Sequence, residues 1–328
     1  MSYACAIIGL GQIASRYQED PRRGKTATHA AAMAAHPQCR LVAGYDPDAG
    51  QRRRFARAWP GTRVYDDLDA LLATECPAII GLATPVETHA ALLRRLLRYR
   101  PRALLCEKPL CRNAQELQQL RRMWSALGRD RPIVTCNCTR RWDPLHQWTA
   151  QQLRRGRIGR LQTVHTLYSG NFLSTSAHLL DELRMLLGEV AWVHAASTGT
   201  ADALNGWIGF RSGATAVLQW IDARGYLSYE IDCYGTTGRL RLGQSGFQLE
   251  SWRTTKHPHF SGYRALTPCR MRHPTGHPGD LAPVIADLVR CIRQRKRPLC
   301  TMEDAFRTAT LQFALLRSAA RGGVRLAV

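Results

Sequence analysis

Six residues, Gly9-Leu10-Gly11-Gln12-Ile13-Ala14, constrain the fold of this chain more than any others. They follow an apolar run over residues 3–8 that reads as a short buried strand, and they precede an Ala-rich stretch of helical character reaching Ala35. The next strand, over 41–45, ends at Asp46. Glycine spacing alone is weak. A strand before it, a helix after it and an acid closing the following strand are the context of a dinucleotide-binding βαβ unit. Gly9 permits the tight turn, Gly11 lets backbone approach a pyrophosphate, and Ala14 lets helix pack close on strand. The helix start, at Gln12 and Ile13, offers its N–H groups to phosphate. Asp46 can accept from a ribose 2′,3′-diol and would repel a 2′-phosphate, which favours NAD. Arg52, Arg53 and Arg54 follow closely and can accommodate that phosphate, so NADP stays open.

Apolar strands over 78–83, 103–106 and 132–137 alternate with helical segments, one running to about residue 99 and one over 113–127. This alternation predicts right-handed βαβ units on a parallel sheet. The character then changes. A helix over 144–155, a strand over 161–168 and a helix around 178–187 lead to successive strands between 190 and 252, broken by glycine turns. That order predicts a large open, mostly antiparallel sheet. The expected class is therefore α/β: an N-terminal doubly wound Rossmann sheet over 1–122 and a second α/β domain over 123–328 for substrate and oligomerisation. Residues 254–279 show no periodicity and read as a long loop. Helices over 280–295 and 302–320 close the chain, the last able to pack back on the first domain.

Composition narrows the function classes. With 45% hydrophobic and 22% charged residues the chain reads as globular. Its eleven cysteines form no C-x-x-C pair and several lie in apolar runs, as free thiols do in reduced, cytoplasmic proteins. Residues 1–8 go directly into a strand without a leader pattern, and no apolar run is long enough to span a bilayer. A formal charge of +21 suggests anionic ligands. Its arginines are spread along the whole chain rather than gathered in a basic tail or stripe, which argues against a specific nucleic-acid partner. His257, His259, His273 and His277 fit no metal-ligand spacing, so no metal is expected.

Against this arginine excess only four lysines occur, Lys25, Lys108, Lys256 and Lys296. Lys108 stands in Glu107-Lys108-Pro109, after the strand over 103–106, at the sheet edge where open α/β proteins bind ligands. An ammonium there can donate to an oxygen and shuttle a proton, which arginine cannot do.

Gly9-x-Gly11-x-x-Ala14, Ala83-Thr84-Pro85-x-x-x-His89, Glu107-Lys108-Pro109 and His178-x-x-Asp181 occur in this order. Together with Gly156-Arg157-Ile158-Gly159 and Tyr234-Gly235-Thr236-Thr237-Gly238 they give the chain a resemblance, nearly end to end, to the Gfo/Idh/MocA oxidoreductases. The resemblance implies reversible hydride transfer between a nicotinamide and a carbon of a sugar, cyclitol or nucleotide sugar, in a homo-dimer or tetramer. It implies His178 as the acid–base group and Lys108 as its companion at the same oxygen. Arg141, Tyr168, Asn171, Ser174 and Asp181 become candidates for the substrate, with Asp181 also able to orient His178. Ala83, Thr84, Pro85, His89, Glu107 and Lys108 itself join the cofactor set. One departure stands out: relatives with the sugar-dehydrogenase triad carry Asp where this chain has Ser174. The missing carboxylate points to keto-sugar reduction, or to a weakly active or inactive dinucleotide sensor or partner protein.

Overall fold

The computed structural model describes residues 2–200, 203–277 and 279–328. Strands and helices alternate through the first third: β1 (Tyr3–Ile8), α1 (His29–Ala35), β2 (Cys39–Tyr45), α2 (Ala49–Ala58), β3 (Arg63–Tyr65), α3 (Leu68–Glu75), β4 (Ile79–Leu82), α4 (Val86–Tyr99), β5 (Ala103–Cys106), α5 (Ala114–Ala126) and β6 (Ile133–Cys136). Most helices start where a short polar side chain satisfies a free N–H: Thr28 for α1, Asp48 for α2, Asp67 for α3 and Asn113 for α5. The six strands pair in parallel in the order β3-β2-β1-β4-β5-β6. β4 and β5 are buried along their whole length, which is why they read as unbroken apolar runs. The order reverses between β1 and β4, and the loops after these two strands flank the crevice where such sheets take ligands.

The second sheet is larger. α6 (Pro144–Arg154), β7 (Leu161–Tyr168) and α7 (Phe172–Leu187) lead into β8 (Val190–Ser197), β9 (Leu204–Phe210), β10 (Thr215–Trp220), β11 (Tyr229–Gly235), β12 (Gly238–Gly243), β13 (Gln248–Lys256) and β14 (Arg264–Pro268). Helices α8 (Ala282–Gln294) and α9 (Met302–Ala320) follow, then β15 (Leu326–Ala327). The strand order is β14-β13-β12-β11-β7-β10-β9-β8-β15, antiparallel except for the β7–β10 pair. Val164, Thr166 and Tyr168 of β7 face the core with Leu180, Ile208 and Ile231, while His165 and Leu167 face outward.

The chain divides into two compact units. One runs to Thr139 and takes back Gly279–Ala309; the other holds the rest. The expected division at 122/123 therefore falls short of β6, which pairs with β5 (Cys106 opposite Cys136) and belongs to the first unit.

Two local expectations are corrected. No continuous helix follows Gly11. One helical turn forms (Ser15 N–H to Gly11 O, 3.2 Å; Tyr17 N–H to Gln12 O, 2.9 Å), and the chain then leaves through the Pro21–Gly24 stretch, whose residues do not sustain a helix. α1 resumes the interrupted helix: His29 and Ala30 N–H bond the carbonyls of Ile13 (3.1 Å) and Ala14 (3.0 Å). This excursion, pinned by Trp59 Nε1 to Ser15 Oγ (2.8 Å) and Thr26 Oγ1 to Asp280 Oδ1 (2.5 Å), accounts for the long spacing to Asp46. Second, residues 254–279 are not a structureless loop. β13 and β14 form a hairpin, and His277 N–H bonds Asp143 Oδ2 at 2.6 Å, so the following segment is tied to the start of α6. β14 is a mostly exposed edge strand, so it carries no apolar alternation to announce it. The structure adds α2, β3, α3 and β15 to the expected elements; β3 and β15 are short edge strands.

Candidate active site

Gly9 lies at φ +88°, and a Cβ there would stand 2.6 Å from Thr84 Cγ2 and 2.9 Å from the Thr84 backbone. The two loops at the switch point touch, and only glycine allows it. A Cβ on Gly11 would meet nothing within 4 Å, so the backbone there is open to an approaching group. The helical turn beginning at Gly11 leaves the N–H groups of Gln12 and Ile13 without intrahelical acceptors. Asp46 closes the cradle: Oδ2 accepts from Leu10 N–H (2.8 Å) and Oδ1 from Asp48 N–H (2.9 Å). Each carboxylate oxygen keeps further acceptor capacity. Arg52 is committed to the carbonyls of Asp46 (2.8 Å) and Pro47 (2.9 Å), and Arg53 and Arg54 are exposed. These residues fit the diphosphate and ribose of a dinucleotide.

Ala83 N–H extends the ladder to Ile8 O (2.8 Å), Thr84 is half-buried and Pro85 exposed. His89 is corrected. It is fully buried on α4, with Nδ1 2.9 Å from Pro109 O and Nε2 2.8 Å from Thr84 O, so it joins the loops after β4 and β5 instead of facing a cofactor. Glu107 is also largely buried. Its Oε1 accepts from His29 Nε2 (2.8 Å) and Asn137 Nδ2 (2.6 Å). Burial pushes this carboxyl up, but His29, Asn137 and the Lys108 charge outweigh it and hold it below the usual carboxylate range. Lys108 itself is half-buried, at the carboxyl end of β5 and joined to Pro109 by a cis peptide bond.

In the second unit, α7 carries half-buried His178 and, one turn on, two buried acids. Asp181 is corrected from substrate binding. It is 1% exposed and pairs bidentately with Arg141 (Nε to Oδ2, 2.7 Å; Nη2 to Oδ1, 2.8 Å), so Arg141 is likewise an anchor of α7. Glu182, which sequence reasoning missed, bonds His146 Nδ1 and accepts from the Tyr229 hydroxyl (2.7 Å), with Arg140 Nε at 3.5 Å. His146 Nε2 reaches Gly246 O at 3.0 Å, so two acceptors face this ring. Burial would lower the His146 pKa, but the Glu182 carboxylate wins and raises it; Glu182 is correspondingly held low. Tyr168 is corrected too. It is fully buried with its hydroxyl on Leu204 O (2.5 Å), a core residue of β7. Asn171 spends Oδ1 capping α7 at Ser174 N–H (3.2 Å), which places Ser174 in the first turn.

Comparison with known proteins agrees with the dinucleotide-binding fold. Residues 3–130 match the model of an oxidoreductase family with an NAD-binding Rossmann fold. Inositol 2-dehydrogenase 4 of Saccharopolyspora erythraea is 32% identical over 177 residues, 49% of this chain and 51% of the relative. The chain thus spans about half the length of these curated relatives. Among solved structures, an NAD binding oxidoreductase from Klebsiella pneumoniae superposes with TM-score 0.79 at 17% identity, covering 100% of this chain and 99% of that one. The WlbA dehydrogenase of Bordetella pertussis, solved with NADH and UDP-GlcNAcA, superposes with TM-score 0.76 at 19% identity, again over 100% and 99%. These likenesses are of fold. Among the described residues no helix is long and apolar enough to cross a membrane.

Proposed function

We propose, from the match of residues 3–130 to the Gfo/Idh/MocA family of NAD-binding oxidoreductases, that the chain is an oxidoreductase of this kind and transfers hydride between nicotinamide and a carbinol or keto carbon of a sugar or nucleotide-linked sugar. The observation that carries this reading is Lys108 at the carboxyl end of β5, beside the switch-point crevice. When bound, the nicotinamide supplies or accepts the hydride. Backbone from Gly9 to Ile13 would hold its diphosphate, Asp46 the adenosine ribose, and the 83–85 loop the nicotinamide side. His178 takes the hydroxyl proton on oxidation and returns it on reduction, a task suited to an imidazole near neutral pH. Lys108 donates a hydrogen bond to the same oxygen and lowers the cost of alkoxide character.

The relatives support the substrate class: one is named for inositol and another was solved with a nucleotide-linked sugar acid. The +21 charge favours phosphorylated or nucleotide-linked substrates over neutral polyols. Ser174 supports the reductive direction, since it places no negative charge beside the proton donor. It also supports a second reading, a dinucleotide sensor that never changes the redox state of its ligand.

Fluorescence titration with NADH and NADPH tests the cofactor assignment. Saturable binding is expected, tighter for NADH because Asp46 meets the ribose and Arg52 is tied to backbone. Gly9→Ala is expected to abolish it, since the new methyl would meet the Thr84 backbone at a φ that L-residues rarely adopt. Equal binding to Gly9→Ala, or a preference for NADPH, would contradict the assigned cradle.

A further inference from the structure

The reaction proposed above uses Lys108 but not the buried groups behind it. His29 is the first residue of α1 and is fully buried; Asn137 follows β6 and is 3% exposed. Both bond one oxygen of Glu107, the residue that precedes Lys108. β4 makes room for the ring: a Cβ on Gly81 would stand 2.5 Å from His29 Nδ1. Donors from two separately encoded elements therefore converge on a single carboxylate at the sheet's ligand edge. Main chain on both sides is also fixed, Glu107 N–H to Leu82 O at 2.9 Å and Asn137 N–H to Cys106 O at 2.8 Å.

A buried ion of this kind contributes little to stability compared with an apolar replacement, so fold stability is a poor account of it. Position is a better one. Lys108 is the first residue beyond the ladder, and its direction depends on where the Glu107 side chain is held on one side and Pro109 O on the other, the latter by His89.

We propose that His29 is a positioning residue of the reaction, aiming the Lys108 ammonium by fixing Glu107; the inference rests on Lys108 acting at the substrate oxygen. Without His29, Glu107 keeps one of its two donors and must find water or a proton, and the turn carrying Lys108 moves with it.

The lysine scarcity makes a direct test possible. Reductive ¹³C-methylation of the full chain labels its four lysines and the terminal amine, and Lys108→Arg assigns the Lys108 signal. In His29→Ala the Lys108 signal is expected to move to the position of the exposed Lys25, Lys256 and Lys296 signals, which stay in place. His29→Gln, which retains an N–H donor, is expected to restore most of the native position. Asn137→Ala removes the other bond to the same oxygen and serves if His29→Ala does not fold; the same displacement is expected. A Lys108 signal unmoved in a folded His29→Ala or Asn137→Ala protein would overturn the inference alone. Undiminished turnover in Lys108→Ala would instead overturn the reaction assigned to Lys108, and this inference with it.

Discussion

Lys108→Ala is expected to lower turnover by about 10²–10⁴-fold while leaving NADH affinity within a few-fold of the parent. The lysine stands at the carboxyl end of β5, and the dinucleotide cradle is assembled from the loops after β1 and β2. Removing the ammonium takes away a donor that is needed most as the oxygen gains charge, so the loss falls on kcat more than on binding. Lys108→Arg is not expected to restore activity. A guanidinium keeps the positive charge, but its planar fork does not fit the position of a point donor. Steady-state rates and an NADH titration on the same variants check both halves. A comparable loss in rate and in NADH affinity would mean that Lys108 holds the cofactor and not the substrate oxygen.

His146→Leu is expected to destabilise the second unit by about 3–5 kcal/mol, because it leaves the buried Glu182 without its principal counter-charge. For a unit of this size that corresponds to a Tm lower by roughly 10 °C. The pair also sets a pH signature. His146 is raised in the fold, so its stabilisation is complete below its unfolded value of about 6.5 and fades as pH climbs through the raised one. Glu182 is lowered, so its stabilisation is complete above about 4.3 and fades as pH falls through the depressed value. Stability of the native protein should therefore be greatest between these limits and decline on either side. Thermal melts across pH check this: His146→Leu should lose the alkaline decline, and a native-like Tm for His146→Leu would contradict the account of the network.

The dinucleotide half of the site was legible because its signal is local. The glycines, the strand before them and the acid after the next strand lie within one βαβ unit, and their meaning comes from turn geometry. The groups behind the site were not legible for the opposite reason. His29 meets Glu107 seventy-eight residues away, and His146 meets Glu182 across thirty-six, so no spacing rule announces either pair. Tyr168 was misplaced although its signal was present: Val164, Thr166 and Tyr168 share one face of a strand, and that face is the core. Asp181 pairs bidentately with Arg141, forty residues earlier, a partner that its helical spacing to His178 does not announce. The helix interrupted after Ala14 was misread because Ala-rich sequence on both sides of the excursion looks continuous; the helix does in fact continue, through space, from Ile13 and Ala14 to His29 and Ala30.

The most direct test follows the hydride itself. The protein is incubated with NAD and a panel of cyclitols, aldoses and nucleotide-linked sugars carrying deuterium at each carbinol carbon in turn, and the recovered cofactor is weighed by mass spectrometry. The account predicts deuterium in NADH from one labelled position of at least one compound, lost in Lys108→Ala and in His178→Ala. Saturable NADH binding with no deuterium transfer from any compound would contradict it and identify the chain as a dinucleotide sensor.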